Sequence, residues 1–464
     1  MDSFVELMQL VASNIWIYGV VFLIILSILV FVHEWGHYIV ARMCGVKVDT
    51  FSIGFGKEIF GFTDKKGTRW KFALIPLGGY VKMFGDSDPT SSQHKDGVTG
   101  ADGEVIRPFD EAERKVAFFA KSPWQRMAIV FAGPAINFLF AIIVLAVLFA
   151  SVGRPITPPH ASAVEIGAAA DKAGFKPHDI ILSINGRDTI SFDDVRRDVM
   201  IALDTPMIFK VKRGDEIIEL TAIPKKMEEE DRFGFKHEKG YLGLIGPANG
   251  LDVTKLIKVD GVDVVGKPEK ARELLLSKMG KTTTIRIERG STEQADLLIA
   301  PEADANKQLL DPANKDYNAL ILGEKPGDAL QKFNPAQALW AAIVETKEIT
   351  SDTLKAIWQM VTGTRSAAEL GGIIRIGAIA GDMAERGFIA IATFTALLSI
   401  NLGMINLFPI PMLDGGHIVF YAVEIIKGKP LSERVQEYAF RAGLVILVAL
   451  MVFANLNDII HLIL

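Results

Sequence analysis

The 464-residue chain lacks the features of several protein classes. It has one cysteine, Cys44, so no disulfide can form within the chain, and a domain in an oxidising compartment must be held by its own core. The formal net charge of −5 is small for this length and argues against a nucleic-acid partner. Residues 1–14 contain no Lys or Arg. A cleavable signal peptide begins with basic residues, so we expect the first apolar segment to be retained as a membrane span.

Hydrophobic residues make up 50% of the chain and are concentrated in long uncharged runs. Residues 15–32, 127–153, 387–413 and 442–457 contain no Asp, Glu, Lys or Arg, and about 20 apolar residues cross a bilayer as a helix. Lys and Arg are frequent after the first run, before the second and after the third, which predicts that these loops are cytoplasmic and both termini outside. We therefore expect a polytopic α-helical membrane protein with about four transmembrane helices.

The first uncharged run leads into the segment His33-Glu34-Trp35-Gly36-His37. If the helix continues, His33 and His37 lie four residues apart on one face, and both imidazoles reach a single metal ion. Glu34 lies beside them. A charged residue in a membrane helix costs roughly 2.5–3.5 kcal/mol on insertion scales, which marks it as a functional candidate. The alternative is that the histidines only anchor the helix at the lipid headgroups.

A catalytic zinc site needs a third protein ligand and an open position for water. Asp414 directly follows the uncharged run 387–413, in a segment that Pro409 and Pro411 interrupt. Prolines break a helix, and the freed backbone groups are tolerated at membrane depth only inside protein or beside a wet cavity. A broken segment that ends in a carboxylate fits a metal site. His417 is a competing ligand candidate three residues later, although a fourth protein ligand would close the open position.

The His-Glu-x-x-His helix and the late Asn-Leu-x-Pro-x-Pro-x-Leu-Asp-Gly-Gly motif together resemble the site-2 protease family of intramembrane zinc metalloproteases. Within that family, the order of parts is similar to that of the bacterial members that cleave anti-sigma factors. The resemblance implies that Zn²⁺ is held by His33, His37 and Asp414, with Glu34 as the general base.

The same resemblance assigns further residues to the surroundings of this site. Asn406 matches the family position that holds the substrate backbone, and Pro409 and Pro411 belong to the same substrate-binding segment. A Gly-Pro-x-x-Asn element in the second span is shared with the family, which brings Asn137 near the active site. The glycine and proline of that element favour a role in helix packing.

Residues 46–85 alternate apolar and polar side chains around glycines, which predicts strands and hairpins. By resemblance this region is a membrane-associated β-sheet whose edge strand, at Gly78, Gly79 and Tyr80, binds the substrate. A helical substrate has no accessible peptide carbonyl, and pairing of an extended substrate with a sheet edge would hold one open. The alternative is an ordinary small cytoplasmic sheet.

Residues 154–334 turn soluble, and residues 168–186 resemble the start of a PDZ domain of the bacterial protease type. A predicted helix at 191–203 and a predicted strand at 207–213 follow in the order of that fold. Residues 248–303 resemble a second, shortened PDZ domain, interpreted as a spacer. An amphipathic helix is predicted at 335–362, along the membrane surface or packed on the PDZ domain.

The expected organisation contains nine segments. They are a first transmembrane helix (1–45), the membrane-associated β region (46–85), a cytoplasmic linker (86–123), a second transmembrane helix (124–153), the first PDZ domain (154–247), the second, shortened PDZ-like domain (248–303), a linker with the amphipathic helix (304–386), a third transmembrane segment (387–417), and a cytoplasmic helix with the fourth transmembrane helix (418–464). Residues 369–375 resemble a family segment with a part in core packing or gating, with Ile373 in place of the usual proline.

These observations predict an intramembrane zinc metalloendopeptidase of the bacterial inner membrane, with a periplasmic PDZ region and an active site near the cytoplasmic side. The expected substrate is a single-span membrane protein already shortened on its outer side, and the resemblance implies an anti-sigma factor in a stress response or a remnant signal peptide. The PDZ domain either excludes intact outer domains by size or binds the new carboxyl end. The alternatives are a non-catalytic PDZ membrane scaffold, which has no need of Glu34, and a metal transporter, which needs polar residues along a whole path.

Overall fold

A computed structural model describes residues 2–85, 97–99, 105–155, 157–231, 234–289, 293–323 and 330–463. Much of the linker expected at 86–123, including His94, lies outside these residues. The described helices are α1 (Asp2–Met43), α2 (Glu111–Val116), α3 (Pro123–Ser151), α4 (Ala169–Ala173), α5 (Phe192–Ile201), α6 (Pro268–Ser277), α7 (Pro335–Thr362), α8 (Ile373–Glu385), α9 (Phe388–Asn406), α10 (Asp414–Lys427) and α11 (Glu433–Ile463), with 3₁₀ turns at Val253–Lys255, Asp304–Leu310 and Ala367–Glu369.

Most strands belong to the soluble region between α3 and α7. In chain order they are β1 (Val48–Thr63), β2 (Arg69–Met83), β3 (Gly97–Thr99), β4 (Val105–Pro108), β5 (Arg154–Pro155), β6 (Ala163–Glu165), β7 (Ile180–Ile184), β8 (Arg187–Asp188), β9 (Met207–Arg213), β10 (Glu216–Ala222), β11 (Lys225–Glu230), β12 (Lys236–Tyr241), β13 (Leu244–Ile245), β14 (Ala248–Asp252), β15 (Leu256–Val259), β16 (Val262–Asp263), β17 (Thr283–Arg289), β18 (Glu293–Ile299), β19 (Ala319–Leu322) and β20 (Leu330–Gln331).

Four helical segments in the described part of the chain are long and apolar enough to cross a membrane, as the uncharged runs predicted. They are Tyr18–Met43, Pro123–Ser151, Phe388–Asn406 and Arg434–Ile460. The first helix does not end with the uncharged run but continues through both histidines of the His-Glu-x-x-His motif. In the third, α9 ends at Asn406 and the chain resumes helical structure only at Asp414, because the intervening prolines cannot continue a helix.

Helix α3 is the most enclosed of the four candidate spans. In its most apolar stretch 44% of the residues are buried, against 17% in that of α11. It packs against α1, α9, α7 and α10. Its contact with α1 is close because small residues face each other: a Cβ atom on Gly36 would lie 2.4 Å from the carbonyl oxygen of Ala132. Small residues that let backbones approach are the usual means of helix association in a bilayer. Helix α3 is therefore the centre of the membrane part.

Strands β1 and β2 form a long, bent hairpin against the metal-motif helix. Thr50 of β1 pairs with Lys82 on one side and with Arg69 on the other, so the hairpin is folded back on itself. Residues 79–83, called here the outer half of β2, lie along one edge of the folded hairpin. Phe51 is buried at its base and stacks on Trp70, 4.4 Å between ring centroids, with Tyr38 of α1 edge-on. The opposite end exposes large apolar side chains to the surroundings, namely Phe55, Ile59, Phe60, Phe72, Leu74 and Ile75.

The soluble region contains two principal sheets. The first has the strand order β10-β9-β7-β8 and packs on α5; the predicted strand at 207–213 coincides with β9. The second has the order β13-β6-β18-β17-β15-β16. It draws strands from both sides of residue 248, and its apolar core extends past residue 303 to Leu320 and Leu322.

Helix α7 joins the soluble region to the spans. One side packs on α3 and α9 through Ala342, while Glu345 and Glu348 pair with Arg197 of α5, each at 2.6 Å. The following segment, which includes Ile373, starts helix α8. The carboxylate of Asp458, on α11, accepts hydrogen bonds from backbone N–H groups of that first turn, as an acid at a helix N-terminus does.

The α1–α3 contact predicts a strong effect of one added methyl group. Gly36→Ala should lower the midpoint of thermal unfolding in detergent, because overpacking costs about 1–3 kcal/mol and the neighbouring atom is backbone. Gly19→Ala is the matched control, since the same helix leaves open space around Gly19. Equal unfolding midpoints for the two variants would contradict the close contact.

Candidate metal centre

Two histidines of α1 and one aspartate of α10 bring three ligand atoms together. The Nε2 atoms of His33 and His37 lie 3.3 Å apart. Asp414 Oδ2 lies 3.2 Å from the first and 3.6 Å from the second. These ligand atoms all lie within 4.8 Å of one another. The helical spacing of four residues explains the histidine pair, whereas only the fold brings in a residue almost 380 positions later.

The loop between α9 and α10 places Asp414 beside His33 and His37. Met412 has φ +89°, a left-handed conformation that is costly for a side chain and that turns the chain just before α10. A Cβ atom on Gly415 would lie 2.2 Å from the Phe408 carbonyl oxygen, and one on Gly416 would lie 2.5 Å from the Ile410 carbonyl oxygen. Only glycine allows the loop to fold this closely onto the first turn of α10.

Groups on α3 hold the Nδ1 atoms of both imidazoles. His37 Nδ1 lies 2.9 Å from the carbonyl oxygen of Ile129 and donates to it. In the neutral ring this leaves Nε2, which faces Asp414, without a proton. A metal-binding histidine usually donates its other N–H in this way. The backbone of α3 also lies directly against the rings, because a Cβ atom on Gly133 would be 2.3 Å from His37 Nε2.

Asn137 provides the corresponding group for the other histidine. Its Nδ2 lies 3.0 Å from His33 Nδ1, and it is completely buried. Its Oδ1 has no hydrogen-bond partner among the described residues. The oxygen and nitrogen of an amide are assigned from the hydrogen-bond network. With a metal on Nε2, His33 Nδ1 carries the proton, so the amide in that state presents Oδ1 to the imidazole and satisfies both groups.

The donor set fits a zinc ion. Asp414 Oδ2 is buried and finds no hydrogen-bond donor in the described part of the chain, although an unpaired buried carboxylate oxygen is costly. Two imidazole Nε2 atoms and this oxygen together form the three-protein-ligand set of a catalytic zinc site, which keeps a position open. The three residues that would hold zinc are therefore His33, His37 and Asp414.

Glu34 lies at the same site beside the hairpin. Its carboxylate is close enough to interact electrostatically with His33, His37 and Asp414, and the backbone of Val81 on β2 lies near it. The neighbouring Gly79 packs directly on α1: a Cβ atom there would lie 3.1 Å from Glu34 Cγ and 2.6 Å from a methyl group of Val30. The outer half of β2 therefore borders the site.

The other sequence-predicted residues lie around this centre in different ways. Gly78 has φ +152° and packs against the ring of Phe55, and Tyr80 pairs with Ser52 of β1. Asn406 is the last residue of α9 and is half-buried. Pro409 and Pro411 lie in the loop before Asp414, and the backbone of Pro411 contacts α11 at Gly443.

His417 is not among the converging ligand atoms. Its ring packs with aromatic side chains instead, 5.3 Å from the ring centroid of Phe440 and 6.5 Å from that of Tyr421. Three residues on a helix amount to about 300° of rotation and 4.5 Å of rise. That rotation turns the His417 ring away from the three converging ligand atoms and toward the contact between α10 and α11.

Sequence reasoning missed two contributions of α3. The Ile129 carbonyl is a backbone group, so its side chain carries no signal of the role. Gly133 was interpreted as a packing residue, and it does allow close packing, but against the imidazoles of the candidate metal site. The signal that could have indicated this was its place four residues before Asn137, on the same helix face.

Comparisons with known proteins agree with this chemistry. The family described as Peptidase family M50 matches residues 21–450. A protein of Agrobacterium fabrum is 36% identical over 442 residues, 95% of each chain. A protein of Rhizobium meliloti is 34% identical over 452 residues, 97% of this chain and 99% of the other. A Mesorhizobium japonicum protein is 35% identical over 94% of this chain and 97% of the other. All three are named as putative zinc metalloproteases.

The Asn137–His33 contact predicts a change in zinc affinity. Asn137→Leu keeps the volume and removes the acceptor for His33 Nδ1–H. The dissociation constant for zinc should therefore rise about 10–100-fold, as it does when other hydrogen-bond partners of metal ligands are removed. Asn137→Asp keeps an acceptor and should retain most of the affinity. Chelator competition on the purified protein measures both constants, and wild-type affinity in the Leu variant would contradict the assigned role.

Proposed function

Since the chain belongs to peptidase family M50 and is a zinc metalloprotease of the membrane, we propose that it hydrolyses a peptide bond within or near the transmembrane segment of a single-span protein. The convergence of two imidazole nitrogens and one carboxylate oxygen beside Glu34, next to helices that span the bilayer, is the observation that carries this proposal.

The residues of the site divide the chemistry between them. His33, His37 and Asp414 would hold the zinc ion, which would supply a water of lowered pKa and a Lewis acid for the scissile carbonyl. Glu34 takes a proton from that water and returns it to the leaving amine as the general base and then acid. Asn137 and the Ile129 carbonyl keep both imidazoles oriented throughout. Because the histidines must be neutral to bind the metal, activity falls in acid.

The substrate must reach this site in an extended form. A helical segment has its peptide carbonyls hydrogen-bonded internally, and pairing with a sheet edge holds a segment open. The contact of Gly79 with Glu34 and Val30 supports the outer half of β2 as that edge. The exposed apolar side chains at the far end of the hairpin, such as Phe60 and Leu74, support its insertion among lipids. Asn406, at the end of α9, would then hold the substrate backbone.

The expected setting is the inner membrane of a bacterium. Lys and Arg around the β1–β2 region and after α10 favour a cytoplasmic location for both, so the zinc site is near the cytoplasmic side and the sheets after α3 are periplasmic. The order of parts resembles the bacterial regulator of sigma-E protease. An anti-sigma factor that has already lost its outer domain is therefore the leading substrate class, with remnant signal peptides as a further one.

The first periplasmic sheet unit is assigned to a PDZ domain. Supporting this, a groove of about 180 Å³ runs between α5 and the segment 239–244, lined by the apolar side chains of Phe192, Val199 and Leu242. It would accept the new carboxyl end of a shortened substrate, or the domain would exclude intact outer domains by size. The second sheet would be a spacer. A non-catalytic PDZ scaffold is the weaker alternative, because it requires no acid beside three metal ligands.

The role of Glu34 is tested with a tagged single-span substrate truncated on its outer side. Glu34→Gln should reduce cleavage by about 10²–10⁴-fold, the usual contribution of general acid–base catalysis, while zinc content stays that of the wild type. Glu111→Gln, which changes an exposed acid in the first turn of α2, is the control. Wild-type cleavage by the Glu34 variant would exclude it as the base, and well-folded wild-type protein without zinc would favour the scaffold.

The two roles of the PDZ domain predict different responses to the outer end of the substrate. If it acts by size, a flexible Gly/Ser tail added to the truncated end should leave cleavage unchanged, and a folded domain of equal length should block it. If it binds the carboxyl end, the flexible tail should also reduce cleavage. Equal rates for all three substrates would contradict both roles.

A further inference from the structure

Helix α3 contributes no metal ligand, yet it contacts the residues that supply two of them. His37 donates to its Ile129 carbonyl, and His33 contacts its Asn137. These contacts join α1 to α3. Asp414 belongs to a different helix, α10. If all three ligand atoms are to keep their spacing, α10 needs its own contact with α3.

Such a connection lies at the start of α3. Arg126 is 7% exposed, and its Nη2 donates to Glu424 Oε1 of α10 at 2.6 Å. The guanidinium also lies over the ring of Tyr421, 4.8 Å from the centroid, and its Nε donates to the Lys121 carbonyl. The side chain is therefore held from α3, from α10 and from the loop before α3, with both charges of the ion pair largely out of solvent.

The two helices run in opposite directions past each other. Gly133 of α3 lies against the imidazoles that face Asp414, and seven residues earlier Arg126 meets Glu424, ten residues after Asp414. A helix rises about 1.5 Å per residue, so a slip of α10 by one residue would move Asp414 by about 1.5 Å. A functional metal site tolerates about 0.5 Å. The ion pair lies toward the C-terminal end of α10 and is thus placed to set the distance between Asp414 and the two histidines.

We propose that Arg126 and Glu424 are positioning residues for the zinc site, and that they fix Asp414 relative to His33 and His37 by locking α10 to α3. This inference rests on the proposed ligand set. Neither residue touches substrate or metal, and their effect passes entirely through the position of α10.

The test measures zinc affinity by chelator competition on the full-length protein in detergent. Arg126→Gln and Glu424→Gln should each raise the dissociation constant about tenfold or more, as changes behind a metal ligand do. The exchanged pair, Arg126→Glu with Glu424→Arg, should recover part of the affinity. The matched control is Glu369→Gln, which breaks the Arg365–Glu369 pair. That pair is similarly buried, with side chains 9% and 10% exposed, and lies far from the ligands in sequence.

Each outcome decides the matter. Wild-type affinity in both single variants, with His33→Ala losing zinc, would overturn the positioning role and leave the ligand set intact. Zinc retained by His33→Ala would overturn the ligand set and the inference together. If Glu369→Gln weakens zinc binding as much as Glu424→Gln for the same drop in thermal stability, the effect is general destabilisation and the positioning role is overturned. A loss confined to the α3–α10 pair, with recovery on exchange, supports it.

Discussion

The convergence of two imidazoles and a carboxylate inside a membrane protein is the constraint on which the surrounding structure depends. Polar groups at membrane depth are costly unless they are paired or bind a metal. The close α1–α3 contact at Gly36 and the tight loop between α9 and α10 bring neighbouring backbone segments together, and Gly133 of α3 lies directly against the two rings. Each is possible because a glycine or a proline stands where a bulkier or more regular residue would push the elements apart.

The same packing explains how a water-dependent reaction is arranged among apolar helices. The β1–β2 hairpin is anchored to α1 by Phe51, Trp70 and Tyr38 at one end, and its outer strand passes the site at Gly79. A strand carries unpaired backbone groups along its edge, which a helix does not. A β element beside the candidate metal site therefore has edge backbone donors and acceptors that the helices lack, which is the basis of the proposed pairing with an extended substrate.

The soluble region is joined to the spans mainly through polar contacts. Arg197 pairs with Glu345 and Glu348 of α7, and burial raises the pKa of Glu348 above that of a free glutamate, against the lowering effect of Arg187 and Arg197. Ion pairs of this kind stabilise a contact less than an apolar core does, and salt weakens them by screening the charges. Each of the two sheets packs on an apolar cluster of its own.

Much of the site could be predicted from local sequence. A helix period and a run of apolar residues suffice to place His33, Glu34 and His37 on one span, because i and i+4 share a face. The Pro-rich segment before Asp414 likewise predicts a broken helix. These features depend on neighbours within a few residues, which is why the sequence determined them.

The tertiary structure alone decided what depends on distant residues. His417 and Asp414 both have side chains that can bind a metal. Among the described residues, Asp414 lies with the candidate ligands His33 and His37, whereas His417 is turned around α10 and packs against Phe440. The Ile129 carbonyl supports His37 as a backbone group that any side chain could carry. The second sheet takes β6 and β13 from one part of the chain and β15 to β18 from another. Such pairings join residues far apart in sequence, and no local periodicity records them, because the energy that selects them comes from long-range packing.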